Sequence, residues 1–372
     1  MRIAHVAPLA ESVPPKLYGG TERVVAWLVD ELVELGHDVT LFASGDSRTR
    51  AKLVPVWPRA LRLGRPRSDP IAAQAVSLEL IAQHADEFDV IHVHTDWLHL
   101  PLLSRLGVPF VTTPHGRQDL PGLSDVVRRF PEAPFISISN NQRLPLSEAK
   151  WIGTVYHGLP EDSLRPSFER GSYLAFLGRL TAEKGPEAAI RIARAAGMPL
   201  HIAAKVPRGE RGYFHSKLEP QIDGKAVRLI GEVDDQGKQG FLAGAAALLF
   251  PIDWPEPFGL VMIEAMACGT PVIAYRSGSV PEVMDHGVSG FVVDGEAEAI
   301  EAMGRLGELD RRTVRAQFEK RFTARRMAKE YLQHYQTLDQ ARPQLLPRSG
   351  VRRIPQIENS GERPGVGGEL PS

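Results

Sequence analysis

The sequence predicts an α/β chain folded as two facing doubly wound domains with a cleft between them. Short apolar segments alternate with amphipathic ones along most of the chain, and the alternation breaks once, at the polar, turn-rich stretch LPEDSLRPSFERGS (159–172), before starting again. The length, 372 residues, is enough for two cores of ordinary size. Alternating strand and helix implies parallel sheets covered on both faces, so each half reads as Rossmann-like, with ligands expected beyond the carboxyl ends of the strands.

The elements follow in order. RIAHVA (2–7) is a strand, and TERVVAWLVDELVELG (21–36) a helix with Val24, Val25, Leu28, Leu32 and Leu35 on one face. HDVTLFAS (37–44) is the next strand, followed by a basic, proline-bearing loop (55–70), a helix (71–85) and the strand DVIHVH (89–94). PFVTTPH (109–115), PFISIS (134–139) and GTVYHG (153–158) continue the series. Past the break, YLAFLG (173–178), LHIAAKV (200–206), VRLIGEV (227–233), AALLFPI (246–252) and PVIAYR (271–276) are strands with helices between them, the first being GPEAAIRIARAAG (185–197). FTARRMAKEYLQHYQTLDQA (322–341) is a long last helix, and the Pro-, Gly- and Arg-rich remainder reads as disordered. The expected organisation is a first domain over 1–160, a second over 161–325, the helix 322–341 crossing back to the first domain, and a tail over 342–372.

Composition excludes several classes. A formal net charge of −1 argues against a strongly basic nucleic-acid surface. The single cysteine, Cys268, rules out intrachain disulfides and a thiolate zinc cluster. The apolar run in MRIAHVAPLAESVPP is too short for a signal peptide, and no run of about 18 apolar residues would span a membrane. The reading is a reduced, cytoplasmic protein. The loop PRALRLGRPR (58–67), with Arg59, Arg62, Arg65 and Arg67, reads either as a solvated basic loop or as a peripheral contact with anionic lipid.

The most informative stretch is WPEPFGLVMIEAMACGTPVIA (254–274), which sets Glu256 and Glu264 around an apolar helical run ending at Cys268-Gly269. A carboxylate in such surroundings is costly without a cation or a ligand's hydroxyls. Eight helical positions span at most ~12 Å, about the reach from a sugar to the ribose of a sugar nucleotide. Phe258, Gly259 and Leu260 place backbone N–H groups at that helix's start. GRLTAEKG (178–185) holds Arg179 and Lys184 in a glycine-flanked loop, which suits either a diphosphate clamp or an ordinary solvated loop. Gly19-Gly20, before the first helix, suits close backbone approach to a ligand or a tight turn capped by Thr21. His115, at a strand end in TTPHGR, reads as a sugar contact or a structural histidine, and Asp96 as a further cleft residue. His92, His94 and His99 suggest a metal, but without a carboxylate partner packing is the simpler role; His157-Gly158 reads as a hinge. There is no Asp-x-Asp, no nucleophile elbow, no H-E-x-x-H and no P-loop, and the one G-x-G (Gly365-Val366-Gly367) follows no strand, which counts against NAD.

In this order and spacing, GGTE (19–22), TPHG (113–116), GRLTAEKG (178–185) and EPFGLVMIE (256–264), followed by SGSVPEV (277–283) and GVSGFVV (287–293), resemble the family 4 glycosyltransferases of GT-B fold, also called glycosyl transferases group 1. The resemblance implies a retaining, metal-independent enzyme that moves a hexose from a UDP-, GDP- or ADP-sugar to a hydroxyl acceptor on a glycan, lipid or small molecule, with no cofactor. It implies that Arg179 and Lys184 grip the donor diphosphate, with Gly19 and Gly20 along it. Glu256 would bind sugar hydroxyls beside the amides of Phe258 to Leu260, Glu264 the ribose, and His115 the sugar near the reacting carbon. Many relatives have Asn-Gly where this chain has His157-Gly158. A glycosyl phosphorylase, a nucleotide-sugar epimerase and a non-catalytic sugar-nucleotide binder stand as alternatives.

Overall fold

A computed structural model of the chain describes residues 1–16, 19–62, 64–65 and 67–341; the tail 342–372 expected to be disordered lies outside the described residues, as do Leu63 and Pro66 of the basic loop. Among the described residues, the first half runs β1 (Arg2–Val6), α1 (Gly20–Glu34), β2 (Asp38–Ser44), β3 (Lys52–Trp57), α2 (Pro70–His84), β4 (Val90–Val93), α3 (Leu100–Leu106), β5 (Phe110–Thr112), α4 (Leu123–Arg129), β6 (Pro134–Ser137) and β7 (Lys150–Thr154). The second half runs β8 (Tyr173–Arg179), α5 (Pro186–Ala195), β9 (Leu200–Lys205), the single turn α6 (Arg211–Tyr213), β10 (Val227–Gly231), α7 (Asp235–Ala243) and β11 (Ala245–Phe250). It continues with α8 (Leu260–Ala267), β12 (Val272–Tyr275), α9 (Val280–Val283), β13 (Gly290–Val293), α10 (Glu296–Gly304), α11 (Arg311–Arg321) and α12 (Ala324–Gln340).

The strands form one sheet of seven, ordered β3-β2-β1-β4-β5-β6-β7, and one of six, ordered β10-β9-β8-β11-β12-β13. All recorded pairings are parallel. This matches the GT-B architecture expected from the sequence. Each order reverses direction once, between β1 and β4 and between β8 and β11, and crevices open at such reversals. The central strands are buried on both faces, and α1 covers the first sheet with Val24, Val25, Leu28 and Leu32.

Three local expectations need correction. Residues 52–57, expected to be irregular in part, form the edge strand β3; Pro55 is tolerated there because an edge needs only one row of ladder bonds. The strand expected over 153–158 is β7, which starts three residues earlier and stops at Thr154, so His157 lies past the strand end. The helices α3 and α4, seven residues each, escape the sequence pattern because they are too short to show a period.

The halves are joined by two crossings that run side by side. Leu159 bridges Thr323, and a Cβ on Gly158 would lie 2.3 Å from the Thr323 carbonyl oxygen, so only glycine lets the strands of chain meet there. Thr323 caps α12, which then returns to the first sheet with Met327, Ala328, Tyr331 and Tyr335 buried in the core that holds Ile3 and Val25. Glu282 of α9 accepts from the backbone amides of Asn140 and Asn141 at 2.7 and 2.6 Å, which ties the second half to the first. No helix among the described residues is long and apolar enough to cross a membrane.

Candidate functional site

A cleft of about 720 Å³ lies where the two strand-order reversals face each other, and the residues expected to hold the donor line it together with Asp96: Gly19, Gly20, Asp96, His115, Arg179, Lys184, Glu256, Phe258, Gly259, Leu260 and Glu264. From the first half come the start of α1, the exposed Asp96 after β4 and His115 after β5. From the second come the end of β8 with the loop after it, and the loop between β11 and α8.

Close backbone packing brings the second-half segments together. Gly185 has φ +71, and a Cβ there would sit 1.9 Å from the Pro251 carbonyl oxygen, so the loop carrying Lys184 lies flat on the segment leading to Glu256. Asp253 N–H donates to the Glu183 carbonyl at 2.8 Å, which locks the same two segments. Gly278, with φ +56, lets the following loop press on Glu256, whose carbonyl accepts from Ser279 N–H at 2.9 Å. Ser279 Oγ then holds the Phe258 carbonyl at 2.9 Å and Ser277 Oγ the Trp254 carbonyl at 2.6 Å. The SGS motif therefore acts as the brace of the Glu256 loop.

Glu256 is not helical, contrary to the eight-position span read from the sequence: α8 begins at Leu260, and only Glu264 lies on it. Gly259, left-handed at φ +79, caps the helix and leaves Glu256 and Pro257 in the irregular segment before it, so the separation of the carboxylates follows loop geometry rather than helical rise. The first amides of α8, at Leu260 and Val261, precede any helical acceptor and lie at the cleft, Met262 N–H donates to the Gly259 carbonyl at 3.0 Å, and Arg315 Nη1 satisfies the Ala267 carbonyl at the other end at 2.6 Å. The Phe258 ring is buried, leaving its backbone as the polar part.

The two acids of the 254–274 stretch are each paired with a lysine. Lys184 Nζ binds Glu256 Oε2 directly, and Trp254 Nε1 donates to the same oxygen at 3.0 Å. Lys184 also lies 4.7 Å from the Trp254 ring centroid. Lys238 of α7 binds Glu264 Oε1 at 2.6 Å. Arg179 touches Glu183 at 3.4 Å, but its Nε is buried and unpartnered, a donor that an anion would satisfy. Lys238, Lys205 and Trp254 escaped the sequence reading as site residues; Lys238 sits in a polar stretch with nothing to mark it, whereas Trp254 stands two positions from Glu256 in the motif itself. Cys268 is buried, which pushes its thiol up to about 12, so it is not a nucleophile.

The histidines divide. His92 is buried and engaged at both nitrogens, by Tyr335 Oη at 2.6 Å and Thr113 Oγ1 at 2.8 Å, which is a structural role. His94, by contrast, lines the cleft and meets His115. His157, expected as a hinge residue, also lines it, stacked on His115 with ring centroids 5.2 Å apart. Burial holds all of these imidazoles neutral: His5 and His115 are lowered to about 3, and His92, His94 and His157 well below the ordinary 6.5.

That burial has a measurable consequence. A histidine depressed in the fold binds a proton first in the unfolded chain, so its stabilisation is complete above 6.5 and is lost as pH falls toward its folded value. Each such group costs up to about 1.4 kcal/mol per pH unit in that window. Urea midpoints are expected to drop between pH 6.5 and 5, an effect opposed by the carboxyls that burial pushes up, such as Glu22 and Asp30. A flat midpoint there would contradict the neutral cluster.

Two families match this chain. Residues 165–321 match the family described as glycosyl transferases group 1, and residues 18–145 match glycosyltransferase family 4. The D-inositol 3-phosphate glycosyltransferase of Mycolicibacterium vanbaalenii is 26% identical over 359 residues, covering 78% of each protein. Among solved structures, AviGT4, a glycosyltransferase involved in avilamycin A biosynthesis, superposes with a TM-score of 0.67 at 25% identity, covering 91% of this chain and 98% of its own. Anabaena HepE, solved in complex with UDP and glucose, superposes with a TM-score of 0.68 at 20% identity, covering 91% and 100%.

Proposed function

Because the chain belongs to the family 4 glycosyltransferases and has the GT-B fold, we propose that it transfers a hexose from a nucleotide-diphosphate sugar to a hydroxyl acceptor, retaining anomeric configuration and needing no metal. The observation that carries this reading is the pairing of Lys184 with Glu256 and of Lys238 with Glu264 along one cleft wall, flanking the N-terminus of α8. In the absence of donor, these cations and acids neutralise one another. A donor would open the first pair, its diphosphate taking Lys184 and Arg179 and its sugar hydroxyls taking Glu256, while Glu264 keeps Lys238 and accepts from the ribose hydroxyls.

In this reading the diphosphate lies against Arg179, Lys184 and the first amides of α8, with Gly19 and Gly20 opposite. Glu264, aimed by Lys238, binds the ribose hydroxyls, and Glu256 binds hydroxyls of the sugar. His115 donates to or accepts from the sugar near its anomeric carbon as a neutral group. The bond from the anomeric carbon to the diphosphate oxygen breaks with its electron pair going to the diphosphate. The acceptor oxygen bonds to the same face, and its proton passes to the departing diphosphate. Preorganised cations and helix amides stabilise that developing charge in place of a metal, each such donor being worth about 3 kcal/mol. HepE, with its UDP and glucose, and the inositol-phosphate relative support a nucleotide-sugar donor and a polyol acceptor.

A thermal-shift panel of UDP, GDP and ADP without added metal tests the donor half. The matching nucleotide at 100 times its Kd should stabilise the fold by about 2.7 kcal/mol, and turnover of the corresponding sugar nucleotide should release it. If none of the three shifts the midpoint, or a shift requires a divalent cation, the metal-free donor site is wrong.

A further inference from the structure

β1 and β4 are parallel neighbours with His5 opposite His92, and side chains two apart on a strand share a face, so His94 falls beside both. His5 Nδ1 lies 3.0 Å from His94 Nε2, and His94 Nδ1 lies 3.0 Å from His115 Nε2. The three rings thus form a chain from beneath the sheet to the cleft. Its two terminal nitrogens, His5 Nε2 and His115 Nδ1, are buried without protein partners.

A neutral imidazole has one donor and one acceptor nitrogen, so the two links cannot be oriented independently. If His5 Nδ1–H donates to His94, then His94 Nδ1–H donates to His115 Nε2, and His115 carries its proton on Nδ1. In the opposite polarity every proton moves across its ring, and His115 Nδ1 becomes a bare lone pair. A sugar hydroxyl at His115 can pair with either form. The far end then decides the polarity: His5 Nε2 has no partner, and a buried orphan N–H is rarer and costlier than a buried orphan lone pair. With a sugar oxygen accepting at His115, the favoured polarity leaves the lone pair on His5 and the N–H on His115, whereas without it either polarity leaves one orphan N–H.

We propose that His94, backed by His5, is a positioning residue that fixes the tautomer of His115, so that His115 presents Nδ1–H as a donor to an oxygen of the bound sugar. This rests on His115 being a donor-sugar contact. The same cluster brings His5, His92 and His94 within metal-ligand spacing, but His92 has both nitrogens already engaged by Tyr335 and Thr113, which fits a hydrogen-bond chain and not an ion site.

Ring-nitrogen NMR of the ¹⁵N-histidine-labelled full chain, assigned by single substitutions, tests the tautomer without any turnover. Wild type loaded with the nucleotide sugar should show His115 protonated on Nδ1, and His94→Phe should convert that signal to a tautomer mixture. In kinetics, His94→Phe should lower kcat by about 10- to 100-fold with the donor KM within about threefold, as expected for loss of an orienting partner. His94→Asn, whose amide can still reach His115, should recover most of the loss, and His5→Phe should show a smaller loss of the same kind. His115 protonated on Nε2 in wild type, a tautomer unmoved by His94→Phe, or stoichiometric zinc retained by the purified protein and lost in His5→Phe would each overturn the proposal. Should His94→Phe not fold, the wild-type tautomer and the His94→Asn kinetics decide it. Wild type that turns over no sugar nucleotide refutes the glycosyltransferase reading instead, and the two failures are separable because the tautomer is read independently.

Discussion

Glu256→Gln is expected to lower kcat/KM for glycosyl transfer by about 10³-fold while nucleotide binding and the fold survive. The substitution keeps the side-chain volume and removes only the charge. In the free protein that charge is shared between Lys184 and the Trp254 indole N–H. Without it Lys184 remains available to the diphosphate, so UDP, GDP or ADP should still raise the unfolding midpoint. What is lost is the carboxylate that would hold the sugar hydroxyls as the anomeric carbon becomes electron-poor. Steady-state rates of nucleotide release, set beside thermal shift, separate the two effects. Activity within tenfold of wild type would remove Glu256 from the site.

Lys184→Ala should be nearly as damaging, by about 10²–10³-fold, but with a different signature. Here the diphosphate loses a cation and also meets a carboxylate whose partner is gone. Glu256 is only 12% exposed at its side chain, so water screens that charge poorly. Donor KM should therefore rise along with the fall in kcat. The double variant Lys184→Ala/Glu256→Gln should bind nucleotide more tightly than Lys184→Ala alone, because it also removes the repelling charge. Calorimetric Kd values for the four proteins of this cycle measure the coupling directly. Additive losses would mean that the pair is structural and does not exchange with a donor.

Much of the site was legible because its residues sit where the fold exposes backbone and side chains, just past strand ends. Arg179 and Lys184 after β8, His115 after β5 and Glu256 after β11 were all found that way. Glu264 was found as an acid among apolar neighbours, a pattern that needs a partner. Its partner was not legible, since Lys238 lies 26 positions away on a helix that does not show an apolar face strong enough to orient it. The helical span assigned to the two glutamates failed for a related reason. The apolar run reads as helical from Glu256 onward, whereas positive φ at Gly259 places the helix start after it.

The sequence alone determined which kinds of group exist and on which kind of element each stands. Apolar period, glycine placement and strand ends are local properties, and they are enough to specify two parallel-sheet units with acids, cations and a histidine at their carboxyl edges. The tertiary structure decided who meets whom. Lys184 finds Glu256 across 72 positions, and His5 finds His94 across 89 and, through it, His115. Those meetings depend on the order of strands in each sheet and on the point where that order reverses, which no local pattern encodes. They turn a set of polar residues into two ion pairs and one chain of imidazoles.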